Sequence, residues 1–270
     1  MAASTSASSP VIIDGKATAL TIRSELKERV DGLREKHGKV PGLAVILVGE
    51  RRDSATYVRM KAKACKEVGI ASFQHNLPAE VSQEELMALV AQLNEDDAVH
   101  GILVQLPLPD HIDEHAVLES IDVSKDVDGL HPTNMAYLAM RGRTPLFAPC
   151  TPSGCIELLK RYDIPIKGKH TADLDAHLKE ADIVVVAIGR AEEVKGSSLK
   201  PGAAVIDVGI NSVDDATAKR GYRLVGDVHY ESAVEVAGAI TPVPGGVGPM
   251  TIAMLLRNTV DGGARAFGEE

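Results

Sequence analysis

Tyr57 and Lys61 stand four residues apart in 53-DSATYVRMKAKACKEVG-69, a spacing that puts both on one face of a helix. A lysine at a sheet's carboxyl edge, partly withdrawn from water, has its pKa lowered and can move a proton. A surface lysine lying along a core tyrosine is the plainer account of such a pair. Gln105 opens 105-QLPLP-109 at the end of the apolar run 100-HGILVQL-106, and open α/β sheets bind ligands at the carboxyl ends of their strands. Its two prolines stop the strand, yet termination alone does not account for an amide at that spot. The loop 125-KDVDGLHP-132 offers Asp126 and Asp128, with His131 close in sequence. Paired aspartates can hold a metal, but DxDG lacks the remaining ligands of a calcium loop. A carboxylate gripping substrate N–H groups and a simple Asx-turn are the other two readings. The nine histidines show no HExxH spacing and there is no GxSxG elbow, so no metal and no nucleophilic serine is expected.

The segment 241-TPVPGGVGPMT-251 packs three prolines and three glycines into eleven residues, ahead of the apolar, helix-like 250-MTIAMLLRNTV-260. Proline fixes φ and glycine permits close approach, so this is a stiff loop and not a strand. Ending at a helix start, it presents free N–H groups. It serves either as a binding loop or as a rigid connection.

The elements that position these residues follow from the apolar pattern. A buried strand 43–48 precedes a helix 53–69, capped by Asp53 or Ser54 and closed by Gly69. A strand near 70–74, a helix 82–94 and a strand 100–106 follow. This βαβαβ rhythm implies a parallel sheet with helices on both faces. Residues 112–121 read as helix and 122–149 as a long irregular stretch, of the kind that is often functional. A helix 150–162 then leads to apolar strands 182–189 and 203–210, a hairpin-like arm reaching 222–228, and a helix around 230–238.

Composition narrows the class. The 270 residues suit one large or two small α/β domains, and 44% hydrophobic content is ample for a core. No window is apolar for the length of a membrane span. A net charge of −9 argues against nucleic-acid and anionic-membrane partners, as do three Phe and no Trp. The three cysteines, odd in number and without CxxC spacing, fit reduced thiols in a cytoplasmic protein. The small, polar start 1-MAASTSASSP-10 reads as a disordered tail and not as a targeting segment.

Five stretches taken in order, SATYVRMKAKAC (54–65), GILVQLPLP (101–109), KDVDGLHP (125–132), PCTPSGC (149–155) and TPVPGGVGPMT (241–251), closely resemble the bifunctional methylenetetrahydrofolate dehydrogenase/methenyltetrahydrofolate cyclohydrolase family. The likeness covers most of the chain, from VIIDGKA at 11–17 to the final helix. It implies two α/β domains around a folate cleft: 1–150 with 249–270 for folate chemistry, and 151–248 as a Rossmann-like NADP domain. It also implies a homodimer. The family oxidises 5,10-methylenetetrahydrofolate with NADP and hydrolyses the methenyl product to 10-formyltetrahydrofolate. By resemblance Lys61 is the central catalytic group, Gln105 tunes it, and Asp128 holds the pterin N–H groups. Tyr57 packs on the folate, Val104 and Leu106 flank it, and Pro244, Gly245, Gly246, Val247 and Gly248 form a wall. Gly189 and Ile210 remain to touch the nicotinamide.

The chain departs from the family at one place. There, the turn written here as 167-KGKH-170 leads into a strand, a glycine-containing loop and a helix that hold the NADP phosphates. Here it runs directly into 171-TADLDAHLKEADIVVVAIG-189. The loss between His170 and Thr171 is about one βαβ unit of roughly 30 residues, and NADP binding is expected to be impaired. The alternative is a dehydrogenase-defective or non-catalytic splice product that retains only the folate half-site.

Overall fold

A computed structural model describes residues 9–166, 178–218 and 221–269. The first half runs β1 (Val11–Ile12), α1 (Gly15–His37), β2 (Gly42–Val48), α2 (Arg52–Val68), β3 (Ala71–Leu77), α3 (Gln83–Glu95), β4 (Gly101–Val104), α4 (Glu114–Glu119), α5 (Pro132–Ala139) and α6 (Cys150–Arg161). The second runs β5 (Ile183–Val186), β6 (Ala204–Asp207), β7 (Asn211–Asp214), β8 (Tyr222–Val225), α7 (Tyr230–Ala233), β9 (Ala239–Ile240) and α8 (Val247–Ala266). They form two compact units, Ala19–Ser153 with Thr251–Glu270, and Met1–Thr18 with Gly154–Met250. The His170–Thr171 junction and residues 1–8 of the expected tail lie outside the described residues.

The first unit is built on a parallel sheet of order β3-β2-β4. All seven residues of β2 are buried, as a central parallel strand covered on both faces requires. β3 alternates between half-buried and exposed positions because it is the sheet's edge. Ile46, Leu86, Val90, Ile102 and Val117 share one core, each burial contributing about 1.5–3 kcal/mol. Ser82 and Glu85 close a capping box at the start of α3, and Gly69 ends α2 in the left-handed region at φ 90°.

Three local expectations change. α2 is preceded by Arg51 with no side-chain cap bond, so neither Asp53 nor Ser54 is the cap; the helix starts upstream of both. β4 stops at Val104 and not at 106, because Pro107 has no N–H to extend the ladder. The stretch 122–149 is not wholly irregular: α5 lies inside it. Its aspartates and Gly129 precede this helix, Pro132 is the helix's first residue and Gly142 and Pro145 follow it, and the His131 ring accepts from the Thr133 N–H to cap it.

The second unit carries a parallel sheet of order β1-β9-β6-β5 and an antiparallel ribbon of β7 and β8, the expected arm. β1 and β9 have two residues each, too few to show a period in sequence. The helix expected over 230–238 shortens to α7. The chain turns after it so that the Gly238 N–H reaches Ala203 O, where any Cβ would lie 2.5 Å from Gly202 O. β5 ends the sheet, hydrogen-bonded to β6 alone among the described residues. Its Val185 is 52% exposed, whereas strands of parallel sheets are ordinarily covered on both faces.

Candidate active site

Lys61 lies on the inner face of α2, where Val58, Ala64, Cys65 and Val68 are buried, and is itself only 8% exposed. Its Nζ donates to Gln105 Oε1 at 2.9 Å. The other end of that amide donates from Nε2 to Leu106 O at 2.8 Å, and the Gln105 N–H reaches Ile46 O at 2.9 Å. The amide is therefore fixed with its oxygen toward the ammonium. Burial lowers the Lys61 pKa, while Asp128 and then the thiols of Cys150 and Cys65 act in the opposite direction. Desolvation thus favours the neutral amine, and one carboxylate answers the charged form. Tyr57 is half-buried one turn earlier on α2. Leu106 is half-buried, but Val104 is 3% exposed inside the core. Its side chain supports the strand end from below and lines no open surface.

The loop that carries Asp128 is anchored by its neighbours. Asp126 accepts from the N–H groups of Leu130 and His131 at 3.2 and 2.9 Å and from Asn134 Nδ2 at 2.8 Å. Burial raises its pKa and these hydrogen bonds oppose the rise. Asn134 Oδ1 in turn accepts from Leu146 and Phe147 N–H. Both Asp126 oxygens are thus engaged within the loop, and no group of three metal-ligating side chains occurs among the described residues. Gly129 sits at φ 72°, and a Cβ there would come within 2.6 Å of Pro149 N. The Cys150 Sγ donates to Val127 O at 3.3 Å; burial first and Asp128 second hold its thiol pKa well up. Burial likewise pushes the Cys65 thiol up to about 12. Asn134 and Asn258 escaped sequence reasoning. Their signal was an amide within an otherwise apolar helical stretch, which composition alone does not separate from a surface residue.

The remaining candidates belong to the second unit. Gly246 is buried, and a Cβ on it would lie 2.7 Å from Pro242 O, so the turn admits only glycine there. Gly245 takes φ 113°, the Val243–Pro244 bond is cis, and Pro244 and Gly248 are exposed as α8 begins at Val247. Gly189, at φ 68°, follows β5, and its N–H donates to Asp227 at 2.9 Å. Burial would raise the Asp227 pKa, but hydrogen bonds from Asn211 and from the Gly189 and Ile188 N–H groups hold it low. Ile210 is 52% exposed after β6. A dinucleotide's phosphates need backbone N–H groups at a glycine-rich turn into a helix. Residues 162–182 contain one glycine, Gly168, and no strand is described between α6 and β5. Gly189 and Ile210 follow β5 and β6 in the second unit, and the His170–Thr171 junction lies outside the described residues.

The chain is similar to known proteins along both units. Residues 13–128 match the tetrahydrofolate dehydrogenase/cyclohydrolase catalytic domain, and residues 169–267 match that family's NAD(P)-binding domain. Bifunctional protein FolD 2 of Arabidopsis thaliana is 56% identical, over 99% of this chain and 100% of its own length. A Campylobacter jejuni bifunctional FolD structure superimposes with a TM-score of 0.86 at 44% identity, covering 94% of this chain and 99% of the other. The Trypanosoma brucei FolD structure, complexed with NADP cofactor and an inhibitor, gives a TM-score of 0.90 at 42% identity, with 95% and 98% covered. The alignment with the Arabidopsis protein spans 298 positions against the 270 residues here, so at least 28 positions face a gap in this chain. Among the described residues no helix is long and apolar enough to cross a membrane.

Proposed function

Because the chain belongs to the tetrahydrofolate dehydrogenase/cyclohydrolase family, we propose that it works in one-carbon folate metabolism with Lys61 as the central group. On this reading it takes 5,10-methylenetetrahydrofolate to the methenyl compound and hydrolyses that to 10-formyltetrahydrofolate. The observation that carries it is the buried Lys61 ammonium on Gln105 with Asp128 acting on it. In the hydrolytic step a water oxygen bonds to the methenyl carbon and the carbon–N5 bond breaks. The electron pair goes to N5, one water proton ends there, and the other is released. A neutral Lys61 accepts the water proton without repelling the cationic substrate. Gln105 holds the amine in place without adding charge, Asp128 binds the pterin N–H groups, and Tyr57 packs on the folate ring.

NADP supplies the hydride acceptor of the oxidative step, and we infer that this chain holds it weakly. Support comes from the 28 or more unmatched positions, the single glycine between residues 162 and 182, and a β5 that pairs with β6 alone among the described residues. Hydrolysis consumes no nucleotide and persists on this reading, in a cytoplasmic homodimer with no nucleic-acid or membrane partner. Loss of methenyl absorbance, followed without NADP for the native chain and Lys61→Met, tests the first part. Equal rates would sink it. Calorimetric titration with NADP tests the second: micromolar affinity would overturn weak binding, and sedimentation of a monomer would overturn the dimer.

A further inference from the structure

We propose that Asn258, on α8 far along the sequence from the DVDG loop, is a positioning residue for Asp128. The proposal rests on the hydrolytic reading above only for its kinetic arm. Asn258 Nδ2 donates to Val127 O at 2.8 Å and to Ala148 O at 3.1 Å, and lies 3.7 Å from Cys150 Sγ. One amide group thus ties together two backbone segments. The first is the residue directly before Asp128. The second is the turn against which Gly129, directly after Asp128, is pressed so closely that a Cβ would meet Ala148 and Pro149 backbone atoms. Both peptide links of Asp128 are therefore set by groups that converge on Asn258.

Among the described residues, no other side-chain amide or charged group bonds the Val127 and Ala148 carbonyls together. The Cys150 thiol also reaches Val127 O, but a thiol is a weak donor. The Asp126–Asn134 network secures the loop downstream, from Leu130 to Phe147, and leaves the Val127 carbonyl untouched. Thr259, the next residue of α8, turns its hydroxyl back to Leu255 O. Asn258 is also half-buried within the same unit as Lys61 and Gln105.

The consequence is read at Lys61. The groups acting on its ammonium are Asp128 from the loop, Cys150 from α6 and Cys65 from α2 itself, with neutral Gln105 from the end of β4. If Asn258 fixes Asp128, its loss weakens the main interaction favouring the charged amine, and the Lys61 titration moves to lower pH. A residue that merely stabilises the fold lowers the melting temperature and leaves that titration in place.

The test uses the full chain with Asn258→Leu, which keeps the branched shape and removes the donors. Lysine 13Cε labelling and NMR follow Lys61, its signal assigned by its loss in Lys61→Arg. The expected result is a downward shift of the Lys61 midpoint in Asn258→Leu, matching the direction in Asp128→Asn. Adding Asn258→Leu to Asp128→Asn should shift it no further. In the methenyl-hydrolysis assay kcat/KM should fall on the order of tenfold to a hundredfold. An unmoved midpoint in a folded Asn258→Leu chain, or equal additional shifts in the double variant, overturns the proposal. Should Asn258→Leu not fold, Asn258→Ser retains a single donor and should give an intermediate shift; no shift there is equally fatal. A midpoint shift in a chain that hydrolyses nothing defeats the functional reading and leaves this one standing.

Discussion

Lys61 Nζ and Gln105 Oε1 meet at 2.9 Å across a sequence separation of 44 residues. One comes from the inner face of α2 and the other from the carboxyl end of β4. Hydrogen bonds to the charged form favour that form, so Gln105 works with Asp128 against the desolvation that lowers the lysine's pKa. Gln105→Leu removes the acceptor without changing charge. The Lys61 titration should then fall further, and the methenyl-hydrolysis rate should drop about tenfold or more, as loss of a held proton-transfer group predicts. A pH–rate profile of Gln105→Leu superimposable on the native one would count against this role.

The lowered lysine pKa also fixes the sign of a stability effect. Between its folded value and the ordinary 10.5, the unfolded chain binds the extra proton and the folded chain does not. Stability therefore rises with pH across that window, and below it the full cost of the buried ammonium is felt. Lys61→Met lacks this contribution. Its melting temperature should exceed or equal that of the native chain near pH 7, and the difference should shrink steadily as pH approaches 10.5. A difference independent of pH in paired thermal melts would show that Lys61 titrates as an exposed lysine does.

In the DVDG loop Asp126 is bonded within the loop while Asp128 acts on the Lys61 charge, and that division was only half visible beforehand. The pairing of Asp126 and Asp128 was legible in KDVDG; residue types alone did not separate them, and only the family resemblance singled out Asp128. Asp126 is claimed by Asn134, whose place depends on α5, a helix hidden inside a stretch that reads as irregular. Lys61 and Gln105 were legible because each sits at a landmark, a helix face and a strand end, that periodicity and proline locate. The Asn258 tie was not, because it joins α8 to residues more than a hundred positions away and an isolated amide in an apolar helix carries no spacing signal. β1 and β9 stayed hidden for a different reason, since two residues define no period.

Asn134 is fully buried and serves three groups at once, the Asp126 carboxylate and the N–H groups of Leu146 and Phe147. Each buried group left without a partner costs about 1–3 kcal/mol. Asn134→Ala strands more than one, so urea unfolding should report a loss of at least about 2 kcal/mol. Asp126→Asn should cost less, because an amide oxygen can still accept some of the three bonds. The opposite order of the two variants would mean that the carboxylate charge, and not the Asn134 bridge, holds the loop.

The proposal of weak NADP binding has its most direct test at the His170–Thr171 junction. β5 hydrogen-bonds to β6 alone among the described residues and leaves Val185 exposed, while relatives carry at least 28 positions that this chain does not. A strand and helix of roughly that length would cover the edge and bring a glycine turn to a helix N-terminus, where backbone N–H groups bind phosphate. Inserting the unmatched segment of the Arabidopsis relative at the His170–Thr171 junction should therefore raise NADP affinity by two or more orders of magnitude in calorimetry. It should also raise the melting temperature, because apolar surface at β5 becomes buried. The methenyl-hydrolysis rate without NADP should stay within about threefold, since Lys61, Gln105 and Asp128 lie in the other unit. A grafted chain that gains stability but no NADP affinity would show that the phosphate cradle is not what the native chain is missing. One that gains neither would place the gap elsewhere in the fold.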